Sequence, residues 1–196
     1  MQHSFAFYRD LSERPKKPER LFFCFMMTSD ASGEVMQAAD RLFYEHRLTG
    51  SRLRMERLHV SLHLVDDYRR LRGKHIYGAQ LAGDAVRMKP FEVVFRSVMS
   101  FLPAPHKRHR RPLVLRGEGE GLHLLFDSLG DAMARQRLKV KAGTDFKPHM
   151  TLAYGPEEVP EQPIEPIRFT VKDFTLIHSR LGLTQYEVID RWPLVA

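Results

Sequence analysis

One short phrase occurs twice in the chain: Leu58-His59-Val60-Ser61-Leu62 and Pro148-His149-Met150-Thr151-Leu152. Each copy runs histidine, apolar residue, hydroxyl residue, apolar residue. Successive β side chains point to opposite faces, so this alternation marks a strand with one polar and one apolar side. His59 and Ser61 then share a face, as do His149 and Thr151, with each imidazole about 6–7 Å along the strand from its hydroxyl. Side by side, two such strands offer two imidazoles and two hydroxyls to one small ligand, an arrangement suited to a phosphate group.

The surrounding chain is built to present the phrase twice. Arg20 to Met27 is a short apolar run, read as a strand buried on both faces. Ser29-Asp30-Ala31-Ser32 supplies N-caps, and Val35, Ala38, Ala39, Leu42 and Phe43 recur at helical spacing. The first histidine strand follows Thr49-Gly50-Ser51. A weaker amphipathic stretch covers about residues 70–86. Phe91 to Phe101 and Pro112 to Arg116 read as a hairpin around the basic segment His106-Lys107-Arg108-His109-Arg110-Arg111. Gly117-Glu118-Gly119-Glu120-Gly121 lacks the context of a dinucleotide fingerprint and reads as a flexible turn. A helix then carries Leu122, Leu125, Phe126, Leu129 and Met133 on one face, and Lys139 to Thr144 is basic and open. Residues 156–166 hold four prolines and read as a loop, and Phe169 to Ser179 with Gln185 to Trp192 read as a closing hairpin.

Strand, helix and histidine strand thus run from Arg20 to His59 and again from Arg111 to His149, over nearly equal intervals. An internal duplication follows, with the two histidine strands facing each other across a pseudo-twofold axis. The expected fold class is α+β and bilobal, with mainly antiparallel sheets lining a central cleft and helices outside. Residues 1–19 read as an N-terminal arm and residues 20–196 as one domain of two pseudo-symmetric lobes.

Composition narrows the partners. The formal charge is +7 with a pI near 9.7, which favours an anionic partner; the basic segment reads either as a solvated loop or as a phosphate-backbone contact. No apolar run is long enough for a membrane span, and the first residues lack a signal-peptide pattern, so a cytoplasmic protein is expected. Cys24 is the single cysteine and, inside Leu21-Phe22-Phe23-Cys24-Phe25, reads as a core residue.

Histidine titrates near neutrality, and phosphodiester cleavage needs both a base for the attacking oxygen and an acid for the leaving one. His59 and His149 can fill those roles without a metal or cofactor, while Ser61 and Thr151 donate to the non-bridging oxygens. One His-x-Ser/Thr match alone would be structural more often than not; two in equivalent places of a duplicated layout argue for function. His59 and His63 are spaced like helical zinc ligands, but on a strand they lie about 13 Å apart, too far to share an ion. His63 is then either an accessory group on the cleft face or a rim residue, and the second reading is preferred. The other histidines have no partner motif.

At these residues the chain resembles the two-histidine (2H) phosphoesterase superfamily, and within it the RNA 2′,3′-cyclic phosphodiesterases, also called 2′-5′ RNA ligases. The likeness covers about residues 20–194. It rests on the paired His-x-Thr/Ser-x motifs, the opening Arg20-Leu21-Phe22-Phe23, the lead Phe146-Lys147-Pro148, and the closing His178-Ser179-Arg180-Leu181, Tyr186 and Trp192-Pro193-Leu194. The resemblance implies a metal-free site, with RNA ends or nucleotides carrying a cyclic phosphate as partners. It further implies hydrolysis to a 2′-phosphate with His59 as acid and His149 as base, and a reverse 2′-5′ ligation as a secondary activity. The alternatives are another cyclic or 2′-5′-linked nucleotide substrate, or an RNA-end-binding module without turnover. A monomer is expected. Two departures stand beside the motifs. Leu64-Val65-Asp66 replaces an aromatic residue and a glycine, and Tyr154 replaces an arginine that would serve the phosphate. On a regular strand Tyr154 faces away from His149 and joins the site only if the strand bends before Gly155. Tyr154, Lys147 and Arg116 are the substrate-binding candidates, with Lys147, Arg116 or the basic segment standing in for the arginine.

Overall fold

The apolar run after Arg20 forms the middle of β1 (Glu19–Met26) in the computed structural model, which describes residues 15–27, 29–103, 110–140, 146–183 and 185–195. Leu21, Phe23 and Phe25 are fully buried in the main core, while Phe22 and Cys24 point the other way and form a small cluster with Ile177. A continuous apolar run is what a strand covered on both sides requires. The following elements are α1 (Ser29–Glu45), β2 (Ser51–Arg52), a 3-10 turn (Met55–Arg57), β3 (His59–Tyr68), α2 (Gly73–Asp84), β4 (Phe91–Ser100) and β5 (Arg111–Glu118). Then come α3 (Glu120–Arg135), β6 (His149–Gly155), β7 (Gln162–Val171), β8 (Asp173–Arg180) and β9 (Gln185–Pro193).

The strands form one antiparallel sheet in the order β7-β4-β5-β6-β3-β1-β8-β9, with β2 beside β6. Its halves, β7-β4-β5-β6 and β3-β1-β8-β9, meet where Val60 pairs with Met150. The unit β1-α1-β3 repeats as β5-α3-β6, so the expected duplication holds and the histidine strands are the central neighbours. One core joins Val35, Ala38, Ala39 and Leu42 of α1, Ala79 and Ala82 of α2, and Leu122, Leu125, Leu129 and Met133 of α3 to the apolar faces of the strands. The helices therefore cover one side of the sheet, and the histidine faces of β3 and β6 lie on the other. Among the described residues no helix is long and apolar enough to cross a membrane.

The structure corrects the C-terminal reading. Residues 162–166, read as loop, already belong to β7, which pairs with β4. Pro163 and Pro166 are tolerated because β7 is an edge strand, where a missing N–H on the open side leaves no bond unmade. The expected single strand from Phe169 to Ser179 breaks at Lys172. Its first part closes one half of the sheet and its second, β8, pairs with β1 in the other. The closing hairpin is β8–β9. The glycine-rich turn is also narrower: Gly117 and Glu118 finish β5, and Gly119 (φ 149°) alone makes the turn into α3. The first fourteen residues of the proposed arm, residues 104–109, which include the first four of the basic segment 106–111, and residues 141–145 lie outside the described residues.

Close packing ties α2 to the closing hairpin. The Trp192 indole stacks on Phe174 at 5.2 Å between ring centroids and donates from Nε1 to Asp84 Oδ1 at 2.6 Å. A Cβ on Gly83 would sit 2.4 Å from the indole ring. Gly→Ala within a helix ordinarily stabilises by about 1 kcal/mol. Here overpacking against Trp192 is expected to reverse the sign, so Gly83→Ala should lower the unfolding free energy by about 1–3 kcal/mol in urea titrations. An unchanged or raised midpoint would show that α2 can move off β9.

Candidate active site

The Val60–Met150 pair is the centre of the site. One residue to either side, antiparallel register sets His59 beside Thr151 and Ser61 beside His149. The two histidines then lie on the diagonal, with their Cα atoms about 7–8 Å apart. A twofold axis through the pair exchanges His59 with His149 and Ser61 with Thr151. The two motifs meet as the duplication requires.

Each imidazole is held the same way. His59 Nδ1 lies 2.7 Å from the Arg57 carbonyl, and His149 Nδ1 lies 2.7 Å from the Lys147 carbonyl. A carbonyl only accepts, so each Nδ1 carries the proton and each neutral ring turns an unprotonated Nε2 outward. Burial holds His59 below its ordinary pKa against the pull of the Arg57 carbonyl, and the charges of Arg57 and His149 push the same way. His149 is lowered as well, by burial first and by the Arg116 charge, against the Lys147 carbonyl. Both histidines thus rest neutral at pH 7. Ser61 is exposed and Thr151 half-buried, and neither hydroxyl has a partner among the described residues, which leaves both for a ligand.

Aromatic rings wall the histidines. The His59 ring lies 5.4 Å from Phe22 and 5.7 Å from Tyr186, and the His149 ring 4.8 Å from Phe101. Beside each histidine stands an arginine with a buried Nε that has no partner among the described residues. The Arg57 guanidinium lies 4.5 Å over the Tyr186 ring, and Arg116, which pairs with His149 across β5–β6, reaches the Met99 sulfur at 3.8 Å. A buried donor without an acceptor is costly, and an incoming anion would satisfy both.

A β-bulge follows each motif. On β3, Leu62 and His63 together oppose Phe23, because Cys24 pairs with Ser61 and Phe22 with Leu64. On β6, Leu152 is the extra residue between Thr151, opposite Val114, and Ala153, opposite Leu113. Leu62, His63, Leu152 and Ala153 are all buried. Each bulge advances the strand by one residue and flips its phase. Tyr154 therefore faces the same side as Thr151, against the regular-strand expectation, and the strand bends where the sequence reading required it to. Its ring lies under the Arg110 guanidinium at 5.2 Å. Leu64 reaches the motif face of β3 in the same way and is 40% exposed.

The bulge also overturns the reading of His63 as a rim residue. Its ring turns to the helix side, where Nε2 donates to the Phe126 carbonyl at 2.8 Å and the ring stacks on Phe126 at 3.9 Å. Cys24 is core, as read, and burial pushes its thiol up to about 12, which removes it as a nucleophile. Among the described residues no three His, Cys, Asp or Glu side chains gather as a metal-ligand set.

Of the substrate-binding candidates, Arg116 and Tyr154 stand on the histidine face, and Lys147 holds His149 through its carbonyl with its side chain exposed. Sequence reasoning missed Arg57, Phe22 and Phe101, and saw Tyr186 only as part of the closing hairpin. For Arg57 a signal existed: it precedes His59 by two residues, as Lys147 precedes His149. The rings had none, because their contacts depend on how the sheet curls.

The family model for the 2′-5′ RNA ligase superfamily matches residues 29–183. The chain belongs to this superfamily. The 2′-5′ RNA ligase superfamily fold also recurs in solved structures. E. coli LigT complexed with ATP matches with a TM-score of 0.70 at 22% identity, over 91% of this chain and 99% of that one. E. coli LigT complexed with 3′-AMP gives 0.69 at 22%, over the same shares. A Thermus thermophilus protein gives 0.71 at 21%, over 89% and 97%. At these identities the likeness is one of fold. A search of curated proteins returned no match.

Proposed function

We propose that the chain hydrolyses a 2′,3′-cyclic phosphate at an RNA end, or on a nucleotide, to a 2′-phosphate. One observation carries this reading: the pair of imidazoles at the twofold axis, each with Nδ1 bonded to a carbonyl and Nε2 left for proton transfer. Membership of the superfamily supports it, as do the net charge of +7 and the shared fold of E. coli LigT, whose structures hold ATP and 3′-AMP.

In the proposed step, His149 Nε2 takes a proton from water as its oxygen attacks phosphorus. The P–O3′ bond breaks, and His59, protonated, gives its Nε2 proton to O3′. Ser61 and Thr151 donate to the non-bridging oxygens, where charge gathers. Arg57 and Arg116 supply the positive charge that an arginine in place of Tyr154 would have brought. With both Nδ1 atoms fixed, only an imidazolium can act as the acid, and a phosphate anion between the rings favours putting that proton on. The test is turnover of a short RNA ending in a 2′,3′-cyclic phosphate, with and without chelator. Binding without turnover between about pH 5 and 8 would sink the reading in favour of an end-binding module.

The depressed pKa values set the pH dependence. A histidine with a lowered pKa is protonated only below about 6.5, so the acid is lost as pH rises through that range. The base is lost as pH falls through its own lowered pKa. The kcat/KM profile, which reports the free enzyme, should peak on the acidic side of about pH 6.5. The alkaline limb of kcat should lie higher, because bound phosphate raises the acid's pKa. A kcat/KM that climbs to a plateau above about pH 7.5 would contradict the assignment of an imidazolium acid.

A further inference from the structure

Phe22, Phe101, Tyr154 and Tyr186 border the histidines, and three of these rings are already packed. Phe22 and Tyr186 lie 5.4 and 5.7 Å from the His59 ring and 5.8 Å from each other, with the Arg57 guanidinium over Tyr186. Phe101 lies against His149. Tyr154 is different. Among the described residues its ring touches no other ring, and its hydroxyl has no hydrogen-bond partner. Its cross-strand neighbours are Ser51 of β2 and Pro112 of β5, both too short to cover a phenol. The contact it does make is with Arg110, whose exposed guanidinium lies 5.2 Å from the ring centroid. Arg110 has no carboxylate partner among the described residues. A cation set over one face of a ring steadies it and leaves the opposite face for another planar group.

The ring stands at the cleft between the two halves of the sheet. Arg20, on β1 of the other half, is held on the histidine face by two hydrogen bonds to Asp67, of 2.7 and 2.8 Å. Its pKa is raised first by that carboxylate, against burial, and then by the Tyr186 and Tyr154 phenols, one from each half. Tyr154 follows Thr151 by three residues, at most about 10 Å at strand rise. In a 2′,3′-cyclic nucleotide the base stands on the ribose that carries the phosphate, which places it within that reach. A phenol brings no positive charge to the phosphate itself, and Arg57 and Arg116 already stand beside the histidines with buried Nε donors.

We propose that the Tyr154 ring, steadied by Arg110, stacks the nucleobase of the nucleotide whose cyclic phosphate lies between His59 and His149. This rests on the reading of that site as a cyclic phosphodiesterase. It turns a position suited to a phosphate contact into one that reads the base, and it makes a purine the preferred end, because a larger base covers more of the ring.

The test compares the wild-type protein, Tyr154→Phe and Tyr154→Leu on 2′,3′-cyclic AMP, 2′,3′-cyclic CMP and methyl riboside 2′,3′-cyclic phosphate, which has no base. The wild-type KM should be lowest for the purine and highest without a base, and Tyr154→Phe should keep that order. Tyr154→Leu should raise the KM for cyclic AMP about 5–150-fold, the range for one stacked base, with kcat and the base-free KM unchanged. A base-free KM as low as that for cyclic AMP in the wild-type protein would overturn the proposal. So would an equal loss in Tyr154→Leu on all three substrates, the result of a phosphate contact or a packing defect. A loss in Tyr154→Phe as large as in Tyr154→Leu would move the role to the hydroxyl and also overturn it. Dissociation constants of the products, 2′-AMP, 2′-CMP and methyl riboside 2′-phosphate, should follow the same order. They judge the stacking without turnover, whereas no turnover of any cyclic substrate by the wild-type protein would strike the function proposed for the histidines.

Discussion

Replacing either His59 or His149 with alanine is expected to lower kcat by roughly 10²–10⁴-fold, the range for one general acid or base. The double variant should be scarcely worse than either single one. The reason lies in the proposed mechanism: there the two rings flank one phosphate across the twofold axis and each handles one end of the same proton transfer, so losing one disables both. Folding should survive, since both side chains are half-buried on the face away from the main core and the paired residues there are Val60 and Met150. Steady-state kinetics on a cyclic mononucleotide, with thermal melts of each variant, separates the cases. Additive losses would mean that the histidines act in separate steps. Retained activity in either variant would remove it from the mechanism.

The hydroxyls come next in size. Thr151→Val keeps the shape of the side chain and removes only the donor, and a single donor to a developing oxyanion is worth roughly 10²–10³-fold in kcat. Thr151 is half-buried, so its loss should fall inside that range. Ser61 is exposed, so water can partly replace it and Ser61→Ala should fall near or below about 10²-fold. In both variants kcat should fall with KM nearly constant, because the charge these groups meet exists only in the transition state. A raised KM with unchanged kcat would instead place them in ground-state binding.

The features legible in the sequence were those with a regular period. Alternation exposed the shared faces of His59 with Ser61 and of His149 with Thr151. The 3.6-residue spacing marked α1 and α3, and the matching intervals revealed the duplication. The motifs named their own partners because a central antiparallel pair is the simplest way to satisfy twofold symmetry. What stayed hidden were breaks in period. Leu62-His63 and Leu152-Ala153 read as continuations of the strand, yet a bulge at each point turns His63 into the helix layer and brings Leu64 and Tyr154 to the site. Prolines in β7 looked like a loop because edge position, which makes them harmless, is a property of the whole sheet. The crossing at Lys172 and the stacking of Arg57 on Tyr186 join residues far apart in the chain, and neither has a local signature.

The most direct test of the two-histidine mechanism is the phosphorus NMR spectrum of the products from an RNA 2′,3′-cyclic phosphate. Attack opposite O3′, with its proton delivered by the second imidazole, breaks only one of the two ring bonds. The account requires a 2′-phosphomonoester alone, formed by the wild-type protein and lost in His59→Ala and His149→Ala. A 3′-phosphate, a mixture of the two, or an unchanged cyclic phosphate would contradict it.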